Sequence, residues 1–263
     1  MTESINSAKL METRTAMPLF GDDLVVTVDV EGSRQERDYT SLYLLDDLLA
    51  ETEIQMTLFV TPGAVSAEPE LIERWMRDGH VVGLHIHPER LSGGYSEWLS
   101  DYEYDEIAAF LDSALETFGT ALDTIPSVFR AGRWEYSLRL LRVLDAYDFK
   151  IDSSLRPTEH VSEFPAFGLQ EIPLTVCSDA AISSLLRNRD ISSLPFTIDA
   201  YLSRGVTTAV LYAMTVRALM STSSYTMIAF HDYDLKDPST FSSVKRYLSR
   251  VASVTTPKTI REL

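Results

Sequence analysis

Five strand-like runs in this chain end in residues that bind metal or move protons. TVDVEG carries Asp29 and Glu31 two positions apart, and GLHIHPE carries His85, His87 and Glu89. FRAGRW holds Arg130 and Arg133, KIDSSLRP holds Asp152, and AFHDYD holds His231 and Asp232. Side chains two apart on a strand point the same way, so Asp29 can share a face with Glu31, and His85 with His87. Two imidazoles and a carboxylate form a zinc-type donor set that leaves one coordination position for water. Each residue also has a bland use, since a strand-end Asp often caps a helix and a single buried His is usually hydrogen-bonded core. What favours chemistry is convergence, with three of the five histidines at the ends of such runs.

These residues need strands to hold them, and the chain supplies strands alternating with amphipathic helices. DLVVTVDV (23–30) is a Val-rich run of the kind buried on both faces of a sheet. SLYLLDDLLAE (41–51) puts Leu42, Leu45, Leu48 and Leu49 on one helical face. A strand at 54–61, a helix at 69–79 opening on Pro69 and ending on Gly79, and a strand at 80–87 follow. Helices are expected at 104–119, 137–148, 207–223 and 240–253, with strands at 126–132, 149–154, 169–176 and 225–232. Repeated βα alternation predicts a parallel sheet with helices outside, as a barrel or an open doubly wound sheet. Either architecture gathers chemistry at the C-terminal ends of its strands, where the polar residues above fall. Residues 1–22 lack sustained periodicity and read as an N-terminal arm, leaving 23–263 as a single domain.

Charge narrows the partners. The 263 residues carry 39 Asp and Glu against 23 Lys and Arg, a net charge of −16. Such a surface repels phosphate backbones and anionic lipid, which argues against nucleic acid and membrane partners. No apolar run approaches the roughly 18 residues that span a bilayer, and the N-terminal stretch does not resemble a secretion signal. The lone Cys177 excludes an intrachain disulfide and fits a reducing compartment, so a cytoplasmic location is expected. Lysine is confined to positions 9, 150, 236, 245 and 258. An acidic, lysine-poor composition is that of halophile proteins, in which salt screens the self-repulsion.

Taken in order, the motifs resemble those of the polysaccharide deacetylase family, the NodB-homology or carbohydrate esterase family four domain. TVDVEG is similar to its first motif, RWMRDGHVVGLHIHPE to its histidine segment, FRAGRW to the third, DSSLRP to the fourth and AFHD to the last, over about residues 23–250. The resemblance implies an α/β fold, a distorted parallel (β/α) barrel of seven strands. It implies Asp29 as general base, Arg130 as the arginine that orients it, His231 as general acid and Asp152 as the carboxylate that tunes His231. The metal would be held by Glu31, His85 and His87, with Asp29 as the alternative carboxylate and Glu89 as the alternative to His87. Two departures open these alternatives: the family's paired aspartates stand here as Asp29-Val30-Glu31, and the position four after His85 is Glu89.

The implied cofactor is a divalent metal, zinc first and other divalent ions as alternatives. The implied activity is removal of an acyl group from an N-acetylated sugar or glycan precursor. The alternatives are hydrolysis of a non-sugar amide or ureide, and sugar binding without catalysis. Tyr95, Trp98 and Trp134 are the candidate substrate-binding residues, because aromatic faces beside a site can stack on sugar rings. The charge makes its own prediction. The melting temperature should rise between dilute buffer and molar KCl, and a flat or falling melting temperature counts against halophile adaptation.

Overall fold

The computed structural model describes residues 23–33, 38–157, 161–176, 195–220 and 224–263. The expected arm lies outside them, as do His160 and Cys177. In chain order the elements are β1 (Asp23–Val30), α1 (Thr40–Thr52), β2 (Thr57–Val60), α2 (Pro62–Ala67), α3 (Pro69–Arg77) and β3 (Val81–Ile86). Then come α4 (Tyr104–Leu122), β4 (Val128–Ala131), α5 (Leu138–Ala146), β5 (Ile151–Asp152), β6 (Phe164–Ala166) and β7 (Leu169–Glu171). The last described are α6 (Ile198–Ser203), α7 (Thr208–Leu219), β8 (Tyr225–His231) and α8 (Pro238–Ala252).

The described strands form one eight-stranded sheet in the order β6-β7-β5-β4-β3-β2-β1-β8. Every pairing is parallel except β6 with β7. The sheet curls toward closure through irregular pieces. Val176 bridges Pro195, Thr197 bridges Ala229, and the Thr175 N–H donates to the Met227 carbonyl at 3.3 Å. This is the parallel, barrel-like α/β fold expected from the alternation, with eight strands in place of seven. The extra strand is β6, which lies before the expected run at 169–176 and forms a hairpin with β7.

The helices form where the sequence caps them and where one side can be buried. Ser137 caps α5 by accepting the Leu140 N–H at 3.1 Å, and Asp237 caps α8 by accepting the Thr240 N–H at 2.9 Å. Leu42, Leu45, Leu48 and Leu49 of α1 are all buried, as the one-face spacing requires.

Period two along the strands sorts the core into two layers. Leu24, Val26 and Val28 of β1 join the large cluster under the helices, whereas Val25 joins a smaller cluster with Phe59, Val128 and Met227. Thr27 and Asp29 follow Val25 at the same period, and Arg130 follows Val128. The face inside the curl is therefore apolar toward the N-terminal ends of the strands and charged toward their C-terminal ends. Charge is confined to one rim.

Asp232, directly after β8, fixes that rim to β1. Its buried carboxylate accepts the N–H of Glu31 at 2.8 Å, the N–H of Gly32 at 3.1 Å and the Ser41 hydroxyl at 2.6 Å. Gly32 turns the chain with φ +66°, a left-handed conformation in which a Cβ would also strike the Tyr39 ring at 2.5 Å. Asp232→Ala leaves two buried N–H groups and a hydroxyl without an acceptor. It should cost on the order of 3 kcal/mol in urea unfolding, and Asp232→Asn, which keeps an acceptor, should cost less. Equal small losses in both variants would show that this tether is not needed.

Candidate active site

The barrel registers bring the strand-end residues together in pairs. Asp29 of β1 is aligned with His231 of β8, and His85 of β3 with Arg130 of β4. Glu31, His85 and His87 each offer a ligand atom within 4.8 Å of the others, and all three residues are buried. Glu31 Oε1 lies 3.1 Å from His87 Nε2 and 3.5 Å from His85 Nε2. Neither Nε2 has an aligned hydrogen-bond partner. Buried polar nitrogens normally find one, so these two face a place for a cation. The donor set of two imidazoles and a carboxylate fits a zinc-type ion with a position left open.

The surroundings fix how these ligands point. His85 Nδ1 bonds the Arg130 carbonyl at 2.8 Å, which requires Nδ1 to carry the proton and leaves Nε2 as the lone-pair atom. His87 Nδ1 stands 3.3 Å from Glu89 Oε1 in an ion-pair contact. Glu89 is thus behind His87 and orients it, while His87 itself faces Glu31. Arg90 donates from Nη2 to Glu31 Oε2 at 2.8 Å and from Nη1 to the Glu31 carbonyl at 3.2 Å, so only Oε1 is turned toward the imidazoles. Burial pushes the Glu31 carboxyl up, but His85 and His87 override it and hold the group well below the usual carboxylate range. For His87, burial pushes down, and the Glu31 and Glu89 carboxylates outweigh it and raise the imidazole. Gly132 closes this side. A Cβ there would sit 2.7 Å from the His87 ring and 2.8 Å from the Ile86 carbonyl oxygen.

Across from the triad stand Asp29 and His231. Arg130 is fully buried and donates from Nη1 to Asp29 Oδ1 at 2.7 Å and to Thr27 Oγ1 at 2.9 Å. Its Nε and Nη2 donate to the Ser153 carbonyl at 3.1 Å and the Ser153 hydroxyl at 3.0 Å. The expected Arg130–Asp29 pair is therefore formed. His231 Nε2 lies 3.9 Å from both Asp29 Oδ2 and Glu31 Oε1, too far for a direct bond and wide enough for a reacting group. Trp134 meets the His231 ring edge-on at 5.7 Å, and Tyr233 stacks on it at 4.9 Å.

The carboxylate behind His231 is not the one expected. Asp199 Oδ2 contacts His231 Nδ1 at 2.6 Å, whereas Asp152 is buried between the Ser154 hydroxyl, at 2.5 Å, and the Glu171 carboxyl. Asp152 is aligned with Glu171 of β7, while α6 starts beside β8, at the Thr197–Ala229 bridge. Burial would lower His231, but Asp199 overcomes it, helped by Asp29 and Glu31, and raises the imidazole to about 9.

Sequence reasoning also missed Arg90 and Glu171. Arg90 had a faint signal, three positions after His87, whereas Asp199 sits in a stretch with no readable periodicity. Of the aromatic candidates, Trp134 touches the site. Trp98 is linked to it only through Arg133, whose guanidinium lies 5.4 Å from the Trp98 ring and bonds Glu89 at 3.2 Å. Tyr95 is engaged within its own loop, 4.4 Å from the Tyr102 ring and bonded to the Asp101 carbonyl at 2.9 Å.

The family model for polysaccharide deacetylases matches residues 24–151. Over those residues the chain is similar to the polysaccharide deacetylase family. An uncharacterised 30.6 kDa protein from Geobacillus stearothermophilus, from the fumA 3′ region, is 27% identical over 118 residues, 44% of this chain. That match spans only 40% of the relative's length. Among solved structures, one from Mycobacterium smegmatis classed with the polysaccharide deacetylases superposes with a TM-score of 0.66 at 18% identity, covering 92% of this chain and 89% of the other. The family 4 carbohydrate esterase from Streptomyces lividans, solved with acetate, gives 0.55 at 13% identity, with 89% and 90% covered. A family 4 pseudoenzyme from Bacillus anthracis gives 0.54 at 12% identity, with 94% and 66% covered. At these identities the likeness shows a shared deacetylase fold.

The approach of Gly132 to His87 gives a test of the triad. Gly132→Ala should displace the His87 ring and weaken zinc uptake by about 10-fold or more while leaving the far-ultraviolet spectrum unchanged. Unaltered zinc uptake in a folded variant would show that His87 is not held where the triad needs it.

Proposed function

We propose that this protein is a metal-dependent hydrolase that removes an acyl group from an N-acetylated sugar or glycan precursor. The observation that carries the reading is the gap bounded by Asp29, Glu31 and His231, with an arginine behind the base and a carboxylate behind the imidazole. Zinc is the first candidate ion, held by Glu31, His85 and His87. When bound, a divalent ion supplies Lewis-acid polarisation of the amide carbonyl and a water of lowered pKa.

The chain's own groups account for the protons. Asp29, held by Arg130, accepts a proton from the attacking water as its oxygen bonds to the carbonyl carbon. The carbon–nitrogen bond breaks as His231 Nε2–H gives its proton to the departing amine. Asp199 keeps Nδ1 engaged, so the mobile proton is the one on Nε2, and it favours the charged imidazolium that a general acid requires. Trp134 offers an apolar wall beside the reacting groups, and Trp98 and Tyr95 offer exposed rings farther out for sugar stacking.

Two measurements test this. Elemental analysis should find metal in wild type and little in His85→Ala, and equally negligible metal in both would remove the metal-dependent reading. Turnover that survives chelation would favour a non-sugar amide or ureide hydrolase. On an N-acetylated chito-oligosaccharide, His231→Ala should lose about 10² to 10⁴ in turnover per folded molecule. Asp199→Asn removes the charge that raises His231, so the alkaline limb of the pH–rate profile should move to lower pH. Full turnover in His231→Ala would end the mechanism.

A further inference from the structure

Asp152, displaced from its expected role, has a different one. It is aligned with Glu171 across the parallel pair β5–β7, and both residues are wholly buried. Asp152 Oδ1 accepts the Ser154 hydroxyl at 2.5 Å, and Glu171 Oε1 accepts the Leu155 N–H at 3.0 Å. The other two oxygens, Asp152 Oδ2 and Glu171 Oε2, are buried and have no donor. Two ionised carboxylates do not sit side by side in a dry interior, whereas one proton between them turns two repelling acceptors into a donor and an acceptor.

What lies between the two carboxyls gives the pair its purpose. Ser153 accepts the two Arg130 bonds described above, and its own hydroxyl donates to the Ile172 carbonyl at 2.9 Å. Ser154 accepts the Ala131 N–H at 2.9 Å. The Asp152–Leu155 segment is thus the seat of Arg130, and it is gripped by Asp152 within it and by Glu171 from the next strand.

We propose that Asp152 and Glu171 share a single proton, and that this acid–carboxylate pair is a positioning device that locks the seat on which Arg130 holds Asp29. Burial raises both carboxyls, and for Glu171 the neighbouring Asp152 adds to it. The other ionisable groups facing the pair are Arg130, whose charge favours ionisation, and the neutral hydroxyls of Tyr136 and Tyr225. Arg130 is already matched by Asp29, so it does not supply a second counter-charge. The shared proton stands on the burial and register alone; only its catalytic consequence rests on Asp29 being the base.

The experiment uses the full chain as wild type, Glu171→Gln, Glu171→Ala and Asp152→Asn. Infrared spectra at neutral pH should show a buried protonated-carboxyl stretch in wild type that both amide variants lack. A shared proton with a raised pKa stabilises most at low pH and is lost as pH rises. The melting temperature of wild type relative to Glu171→Gln should therefore fall as pH rises above the ordinary carboxylate range. Glu171→Gln replaces the shared proton with an amide N–H and should keep turnover within about two-fold, while Glu171→Ala should lose about 10-fold or more in kcat with KM unchanged. A missing infrared band, one that persists in both amide variants, or a melting difference that does not change with pH overturns the pair. Glu171→Ala with wild-type kcat overturns its link to Asp29. If wild type has no deacetylase turnover, the reading of the site fails while the infrared and melting results still decide the pair.

Discussion

Burying Arg130 is the constraint on which the rest of this rim depends. Taking a guanidinium fully out of water costs several kcal/mol, which is recovered only when nearly every donor is met. Here β1 supplies Asp29 and Thr27, the segment after β5 supplies Ser153, and β2 supplies the Phe59 ring 4.0 Å beneath the guanidinium carbon. Met227 of β8 places its sulfur 3.5 Å from Nη2. Four strands must therefore hold their register for one side chain to be satisfied. The same residue's carbonyl takes the Nδ1 proton of His85. Arg130 thus orients Asp29 with its side chain and sets the tautomer of His85 with its backbone.

The charges around the gap form two units that differ in what they hold. On one side Glu31 is surrounded by cations or potential cations, namely Arg90, His85 and His87, and it is strongly ionised. On the other side His231 is surrounded by carboxylates, namely Asp199, Asp29 and Glu31, and is kept protonated. Opposite environments push an acid and a base apart in pKa, which is how one site holds a proton donor and an anionic ligand at the same pH. Glu31 belongs to both units, since Oε1 lies within 3.9 Å of three imidazoles. A cation drawn to that oxygen would lie within reach of the same gap that His231 faces.

How much of this was legible depended on whether a residue lay on a regular strand. β1 was readable to the residue because a Val-rich run buried on both faces leaves no other assignment, and Asp29 and Glu31 followed from its phase. His85 and His87 were readable for the same reason. Boundaries were blurred where loop residues continue a strand's composition, so the run at 149–154 shrank to Ile151–Asp152. Asp152 was misassigned because motif order gives sequence position without depth. The strand places its carboxyl against β7, and a short helix from an unpatterned segment places Asp199 where Asp152 was expected. Arg90 and Glu171 act through partners more than a dozen residues away in sequence, and beyond the nearness of Arg90 to His87 nothing local marks them. The α2 and β6 segments were missed because each is too short to show a period.

The turn after β4 shows how the rim and the outer loop are joined. Arg133 and Trp134 both take left-handed conformations, at φ 63° and 52°, although neither is glycine. Each such residue costs on the order of 1 kcal/mol or more, so something around the turn must hold it in place. The contacts that do so come from the loop before α4. Arg133 pairs with Glu89 and with Glu97, and Glu135 accepts the backbone N–H groups of Leu99 and Ser100. Glu89 is also the group behind His87. The strained turn therefore sets Trp134 against His231 and Arg133 against Glu89, the carboxylate behind His87, in a single step. Chain geometry at three consecutive residues, Gly132 through Trp134, ties the His87 side of the gap to its His231 side. Loosening the loop would be felt at both.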